Sequence, residues 1–334
     1  MSIRIIKPGI STTIQDSGRT GYRALGVPVS GAMDIDSFRL ANILCGNEAG
    51  LPALEITLHG FECVFVEDCL AACCGDGSGV FINDELVPMG KAFIVRAGSL
   101  MSFRRSLHGC RAYLAVAGGF LAREDMGSFS TYVTASLGGH LGRPLRSGDH
   151  LYRNAEKTSR LSAAIMASIR SDGQNFMTSK WGVTLFLHPE GRTYPIRIMK
   201  GPEWLLFNEK TREQLFQERF IVSGRSNRMG YRISGQLAGG TSGNEMVSTA
   251  VCPGTLQVTP DGTLVLLMAD AQTTGGYPRI AQVAAIDLPR CAQLRPGQQV
   301  SFVPITIEEA SEVLIRKERD IRMIREAIAL KHSV

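Results

Sequence analysis

The chain has 334 residues, of which 44% are hydrophobic and 20% charged, a globular balance with room for one large domain or two ordinary ones. The formal charge is +5 with Lys and Arg scattered along the chain; the absence of a basic stripe interleaved with aromatics argues against a nucleic-acid binder. No apolar run approaches the roughly 20 residues of a membrane helix, and MSIRIIKPGIST holds no apolar stretch of signal-peptide type, so the expected location is cytoplasmic.

With 36 Gly and 14 Pro the chain is turn-rich, which suits many short strands better than a helical bundle. In the first 150 residues short apolar or alternating runs recur: Ser2–Ile6, Ala53–Leu58, Cys63–Val66, Leu70–Cys74, Ala92–Arg96, Leu100–Phe103 and Arg111–Val116. Turn residues separate many of them, a rhythm that predicts a β-sandwich or barrel. One helix interrupts it, started by Asp34-Ile35-Asp36-Ser37, striped by Phe38, Leu40, Ala41 and Leu44, and stopped at Gly46-Asn47. From Asn154 to Trp181 the chain turns polar, with one weakly helical patch at Leu161–Ile169, and reads as a linker. A second β-rich half follows from about Val183 to Val303, with a helical pattern at Asn208–Phe220. The boundaries expected are therefore an N-terminal lobe over 1–153, a linker over 154–181, a C-terminal lobe over 182–304 and a closing helix over 305–332. The last opens on Thr306-Ile307-Glu308-Glu309, a capping-box pattern.

Eight cysteines occur without C-x-x-C spacing, most of them in apolar surroundings, and read as reduced core thiols; the adjacent Cys73-Cys74 is the place to look for oxidation. The histidines, His59, His108, His140, His150, His188 and His332, are dispersed and lack ligand spacing, so no metal site is expected. A Walker-type phosphate loop, a dinucleotide fingerprint, H-E-x-x-H and a G-x-S-x-G elbow are all missing from the sequence.

Three polar clusters remain. The first runs from Thr13 to Asp34 and interleaves Gln15, Asp16, Arg19, Tyr22 and Ser30 with four glycines. Glycines let backbone approach a ligand, although two tight turns with Asp16 and Arg19 paired for structure would read the same. The second, Ser226-Asn227-Arg228-Met229-Gly230-Tyr231-Arg232, places an amide, guanidiniums and a phenol about a glycine. Arg offers a fork for a carboxylate or phosphate; an exposed surface turn is the other reading. The third follows the apolar run Leu264–Met268: Asp270, Gln272, Thr273 and Thr274, then Gly275-Gly276-Tyr277-Pro278. A carboxylate at the end of a buried strand needs hydrogen bonds, and together these side chains provide the acceptors and donors that a planar amide requires. A carboxylate such as Asp270 or Asp16 can serve as general base or orient a nucleophile, as geometry decides.

The same clusters carry a family resemblance. QDSGRTGYRALGVPVSGAMD, then LANILCGNEAGLPALEITLHG, RAYLAVAGGF, MGSFSTY, GPEW, SNRMGYRISG, PGTLQV and ADAQTTGGYPRIA follow one another in the order seen in the family of bacterial 5-oxoprolinase C components. That family is also described as biotin-dependent carboxyltransferase or allophanate hydrolase subunit 2, and is related to the C-terminal region of urea carboxylase and to a Bacillus sporulation-kinase regulator. The resemblance implies a mainly β fold of two cyclophilin-like β-barrel lobes, with a few helices and a C-terminal helix. It implies an ATP-dependent lactamase, with Mg2+ accompanying the nucleotide, that works with 5-oxoprolinase subunits A and B and opens 5-oxo-L-proline to L-glutamate. No A-M-K-M motif occurs, so biotin is not expected on this chain.

Within that frame Asp270, Gln272, Thr273 and Thr274 are expected on the amide edge, with Asn227, Arg228 and Tyr231 on a substrate carboxylate or developing negative charge. Gln15, Asp16, Arg19, Ser30 and Asp34 would line the other wall, with Glu55 behind them; Asp270, Asp16 and Arg228 are the catalytic candidates, and no nucleophile is assigned. The three clusters are expected to line one cavity. The sequence departs from the family pattern at Gly127-Ser128-Phe129-Ser130-Thr131-Tyr132, where a usual Arg and Asp are lost. Thr259 stands for a usual Pro, and the 154–181 segment is long. Two other readings are a urea-amidolyase-type carboxyltransferase component and a non-catalytic regulator that binds a kinase-inhibitor partner.

Overall fold

The structure is a computed structural model describing residues 2–76, 78–105, 109–169, 176–184, 193–235, 237 and 246–332, with backbone alone at 193 and 194. It is mostly β, with 34% strand and 25% helix. Two compact units divide the chain: residues 1–19, 34–187 and 319–334 form one, and residues 20–33 and 188–318 the other.

The first unit is built from two six-stranded sheets around one apolar core. Phe61–Phe65 alternates buried and half-buried side chains, as a strand with one face on a core should. Cys69–Gly75 is buried at every position. One of its faces looks into the core, and the helix Ile35–Leu44 covers the other, which explains an unbroken apolar run. Asp34 starts that helix by accepting from Ser37 N at 3.0 Å and Ser37 Oγ at 2.7 Å. The hairpin between Ser78–Ile82 and Glu85–Val87 turns on Asn83 and Asp84, both at positive φ, as a two-residue turn between twisted strands requires.

The second unit holds a closed seven-stranded barrel: Thr193–Lys200, Arg279–Val283, Thr255–Val258, Leu264–Leu267, Gly230–Ser234, Phe220–Val222 and Gln299–Pro304, in that order around the ring. Thr193–Lys200 and Gln299–Pro304 pair in parallel and close it. Phe220, Phe302, Ile233, Leu256, Leu266 and Ile280 fill the interior. Arg279 fixes one flank with a bidentate pair to Glu203, at 2.6 and 2.8 Å, while donating to Ala250 O at 2.8 Å. The GPEW and GGYPRIA segments are thereby joined, and the Arg279 guanidinium holds the Glu203 carboxyl below its usual range.

The two expected barrel lobes thus take the form of one closed barrel and one pair of facing sheets. Within 154–181, the segment read as a linker, the helical patch expected at Leu161–Ile169 is the helix Arg160–Ser168, whose Ser162 Oγ donates to Cys45 O at 2.7 Å, and Phe176–Thr178 adds an unanticipated edge strand to the sheet through Ala92–Val95. Ile165 and Met177 are buried, and a lone buried Met was too little to mark a strand in a polar sequence. The terminal helix, Ile307–His332, starts with the expected reciprocal cap: Glu309 N donates to Thr306 Oγ1 at 3.1 Å and Thr306 N to Glu309 Oε2 at 3.0 Å. Residues 170–175, His108 and His188 lie outside the described residues. Among the described residues no helix is long and apolar enough to cross a membrane.

All eight cysteines are free, seven of them buried and Cys252 half-buried. Cys73 points into the core while Cys74, its neighbour on a strand, points to the opposite face, so the two do not meet. Burial pushes the thiols of Cys63, Cys69, Cys73 and Cys291 well up, that of Cys69 to about 12. Since the thiolate is the reactive form, a thiol reagent should label at most Cys252 in the native chain and all eight cysteines in denaturant. Rapid native labelling of two or more thiols would contradict this packing.

Candidate functional site

In the barrel unit the strand Leu264–Leu267 ends on Ala269-Asp270, and the carboxylate of Asp270 is buried. Arg228 answers it with a two-pronged pair, Nε to Oδ2 at 2.8 Å and Nη2 to Oδ1 at 3.0 Å, the geometry the guanidinium fork favours. Nη2 also donates to Gly31 O at 2.7 Å. Backbone bonds run alongside: Asp270 N to Arg228 O at 2.9 Å, Met268 N to Met229 O at 3.0 Å, and Ser30 N to Ala269 O at 3.0 Å. Segments near residues 30, 228 and 270, distant in sequence, are tied by one ion pair. Ser30 sits there at φ 55°, left-handed for a non-glycine residue, and its buried Oγ has no hydrogen-bond partner. Strain and an unsatisfied hydroxyl together mark a place shaped for something other than stability.

Beside the pair lies a hollow of about 230 Å³ on the outer face of the barrel, lined by Arg225, Asn227, Arg232, Gln257, Gln272 and Tyr277 among others. Strand pairing puts its floor together. Arg232 faces Val265, Val265 faces Gln257, and Gln257 faces Arg279, so one row of outward side chains crosses four strands. Asn227 closes the turn that follows it, its Oδ1 accepting from Met229 N at 2.8 Å, which leaves its NH2 as the group to offer a ligand. Gln257 is buried under the 272–277 loop and donates through Nε2 to Tyr277 O at 3.0 Å.

Not every expected residue in this unit belongs to the hollow. Tyr231 does not: the strand Gly230–Ser234 alternates, turning Tyr231 and Ile233 into the barrel and Arg232 outward. The phenol of Tyr231 donates to Ala292 O at 3.4 Å within the core, so Tyr231 does not line the hollow, whereas its neighbour Arg232 does. Thr273 is buried with its carbonyl accepting from Val251 N at 3.0 Å, and Thr274 pairs with Ala250 in a short ladder. These two shape the loop, while Gln272 reaches the hollow.

The remaining candidates belong to the two-sheet unit and form a network of their own. Asp16 is buried; Oδ1 accepts from Gly18 N at 2.8 Å and Ser128 Oγ at 2.7 Å and from Ser130 Oγ, and Oδ2 accepts from Phe129 N at 2.7 Å. So occupied, its carboxylate organises a loop and is poorly placed to act as a base. Arg19, fully buried, donates through Nη2 to Ser130 O at 2.6 Å. The Ser128–Ser130 stretch therefore holds Asp16 with hydroxyls and an amide. Gln15 donates through Nε2 to Thr13 Oγ1 at 2.9 Å and Thr131 O at 3.2 Å. Glu55 accepts from Tyr113 Oη at 2.7 Å, and Tyr113 Oη accepts from Asp34 N at 2.8 Å, which makes Glu55 the support of the helix start. Burial and the neighbouring Glu55 and Asp34 carboxylates push the Tyr113 phenol well up, so it stays protonated and able to donate. The single cavity shared by all three clusters stays an expectation of the sequence, since its walls belong to both units.

Of the residues that line the hollow, Arg225 and Gln257 were missed by sequence reasoning, and Arg232 and Tyr277 stood within the clusters but were given no role. The period-2 pattern of GYRIS was the available signal for Arg232; Gln257 is a lone polar residue in TLQV and becomes visible only when the loop that buries it is in place. Among the described residues no group of three or more His, Cys, Asp or Glu is assembled in the manner of a metal site.

Residues 25–304 match the family described as carboxyltransferase domain, subdomain A and B. The chain is 38% identical over 308 residues to the 5-oxoprolinase C component of Escherichia coli (strain K12), covering 92% of this chain and 93% of that protein. It is 31% identical over 332 residues to the urea amidolyase of Saccharomyces cerevisiae, spanning 96% of this chain and 17% of that one. The crystal structure of the K. lactis urea amidolyase superposes with a TM-score of 0.84 at 31% identity, over 97% of this chain and 20% of that chain.

Proposed function

Because the chain belongs to the carboxyltransferase-domain family, subdomains A and B, we propose that it is the C component of an ATP-dependent 5-oxoprolinase, opening 5-oxo-L-proline to L-glutamate together with subunits A and B. The observation that carries this reading is end-to-end likeness to a free-standing C component, with 93% of that protein matched. Likeness to urea amidolyase involves about a sixth of a far longer chain.

The chemistry asks for positioning more than for a strong nucleophile. A lactam carbonyl resists water; transfer of a phosphoryl group from ATP to its oxygen turns it into an electrophile, and binding energy is best used where charge develops. The hollow beside Asp270–Arg228 supplies amide donors at Asn227 and Gln272, an amide acceptor at Gln257 and guanidiniums at Arg225 and Arg232 to hold a small amide still. ATP enters as a substrate of the whole complex, and no residue of this chain is assigned to it or to Mg2+.

Glutamate release from 5-oxo-L-proline and ATP, measured with this chain alone, with either partner and with both, is expected only for the complete mixture. A complete mixture that releases none would overturn the proposal. The urea-amidolyase reading is favoured by the K. lactis superposition; ATP-dependent carboxylation of urea on adding a biotin carboxylase bearing its own biotin would support it.

A further inference from the structure

We propose that the hollow on the outer barrel face selects a small amide carrying its own carboxylate, with Arg232 holding the carboxylate and Gln257 accepting the amide N–H. The inference rests on the lactamase reading above and narrows it, since a cationic hollow disfavours a neutral amide such as urea.

Two observations carry it. The first is charge. Arg225 and Arg232 both line the hollow, and none of its lining residues is acidic. Arg232 is exposed at the end of the outward row it forms with Val265 and Gln257. The second is an unused acceptor. Gln257 is 1% exposed, its NH2 is engaged by Tyr277 O, and its Oε1 is buried without a hydrogen-bond partner. An acceptor stripped of water and left unpaired carries a free-energy cost that an incoming N–H would remove. The side chain is held from above: a Cβ added at Gly275 would come within 2.8 Å of Gln257 Nε2. The amide therefore cannot turn over freely to exchange donor for acceptor. Its fixed polarity fits a ligand N–H and rejects an N-alkylated one.

In 5-oxo-L-proline the carboxylate is borne on the carbon next to the ring N–H. Both recognition elements thus lie on one edge of a small ring, within reach of a single cationic hollow. The carbonyl flanks the N–H on the side away from the carboxylate-bearing carbon and is left for activation.

The test compares three ligands on the full chain by calorimetry or NMR titration: 5-oxo-L-proline, 2-pyrrolidinone, which lacks the carboxylate, and N-methyl-5-oxo-L-proline, which lacks the N–H. The wild type is expected to prefer the first over each of the others by at least about tenfold, as loss of a charge-assisted hydrogen bond in one case and a buried acceptor left unpaired in the other imply. Arg232→Met should erase the preference over 2-pyrrolidinone, and Gln257→Leu the preference over the N-methyl compound. In the assembled enzyme Arg232→Met should raise KM for 5-oxo-L-proline about tenfold with kcat nearly unchanged. Equal binding of all three ligands by the wild type, or discrimination that survives both substitutions in folded variants, would overturn the proposal. Should the assembled wild type release no glutamate, the lactamase reading falls, and the ligand series on the full chain still decides what the hollow selects.

Discussion

Asp270→Ala is expected to destabilise the barrel unit by about 3–5 kcal/mol, because it leaves a mostly buried guanidinium without its counter-charge. Arg228 makes two of its donations to Asp270, and the Gly31 carbonyl that accepts a third carries no charge to neutralise it. The same pair ties the segments near residues 30, 228 and 270 together, so its loss should displace the strained Ser30 and the turn that carries Asn227. Displacements of about 1 Å near reacting groups can cost ~100-fold in rate, and kcat/KM of the assembled enzyme should fall by at least that factor. Asp270→Asn keeps the shape and removes the charge, and should be milder in stability while still losing most turnover. Denaturant unfolding and glutamate release measure the two effects. An Asp270→Asn enzyme with wild-type kcat/KM would show that the ion pair has no part in positioning. The regulator reading makes a separate demand: a pure binding protein would keep its partner and its cellular effect in the same variant.

Asp16→Ala is the second large effect, and it acts through the fold alone. Four donors, Gly18 N, Ser128 Oγ, Ser130 Oγ and Phe129 N, converge on this one buried carboxylate. Each donor left buried without an acceptor costs about 1–3 kcal/mol, so a loss of at least ~3 kcal/mol is expected even if some find water. Ser128, Ser130 and Thr131 are fully buried, and their backbone amides should lose protection from hydrogen exchange ahead of global unfolding. Unchanged amide protection across 128–131 would mean that the loop is held by something else, for which Arg19 on the Ser130 carbonyl is the nearest candidate.

How far the site could be read from the sequence depends on where each side chain's partner lies. Asp34 was legible as a helix start because its partner, Ser37, is three residues away. Asp270 was legible as a residue needing satisfaction because it ends an apolar strand, but Arg228, 42 residues distant, was one of several guanidiniums that could have answered it. Asp16 looked like a site carboxylate for the same reason that it proved to be a structural one: glycine-rich surroundings suit a ligand and suit a loop turning on a carboxylate. Tyr231 was misplaced because a run of polar residues was treated as one cluster, whereas on a strand neighbours point to opposite faces.

By itself the sequence determined the β-rich class, the caps and turns, the family and the chemical character of the three clusters, since all of these follow from local patterns of residue type. Tertiary structure alone decided that one unit closes as a barrel, that Arg232 and Gln257 share a row on its outer face, and that Asp16 is already occupied. Those outcomes depend on strand register and on bonds such as that between Ser128 and Asp16, 112 residues apart. Which partner a buried polar group finds is fixed only when the whole core closes around it.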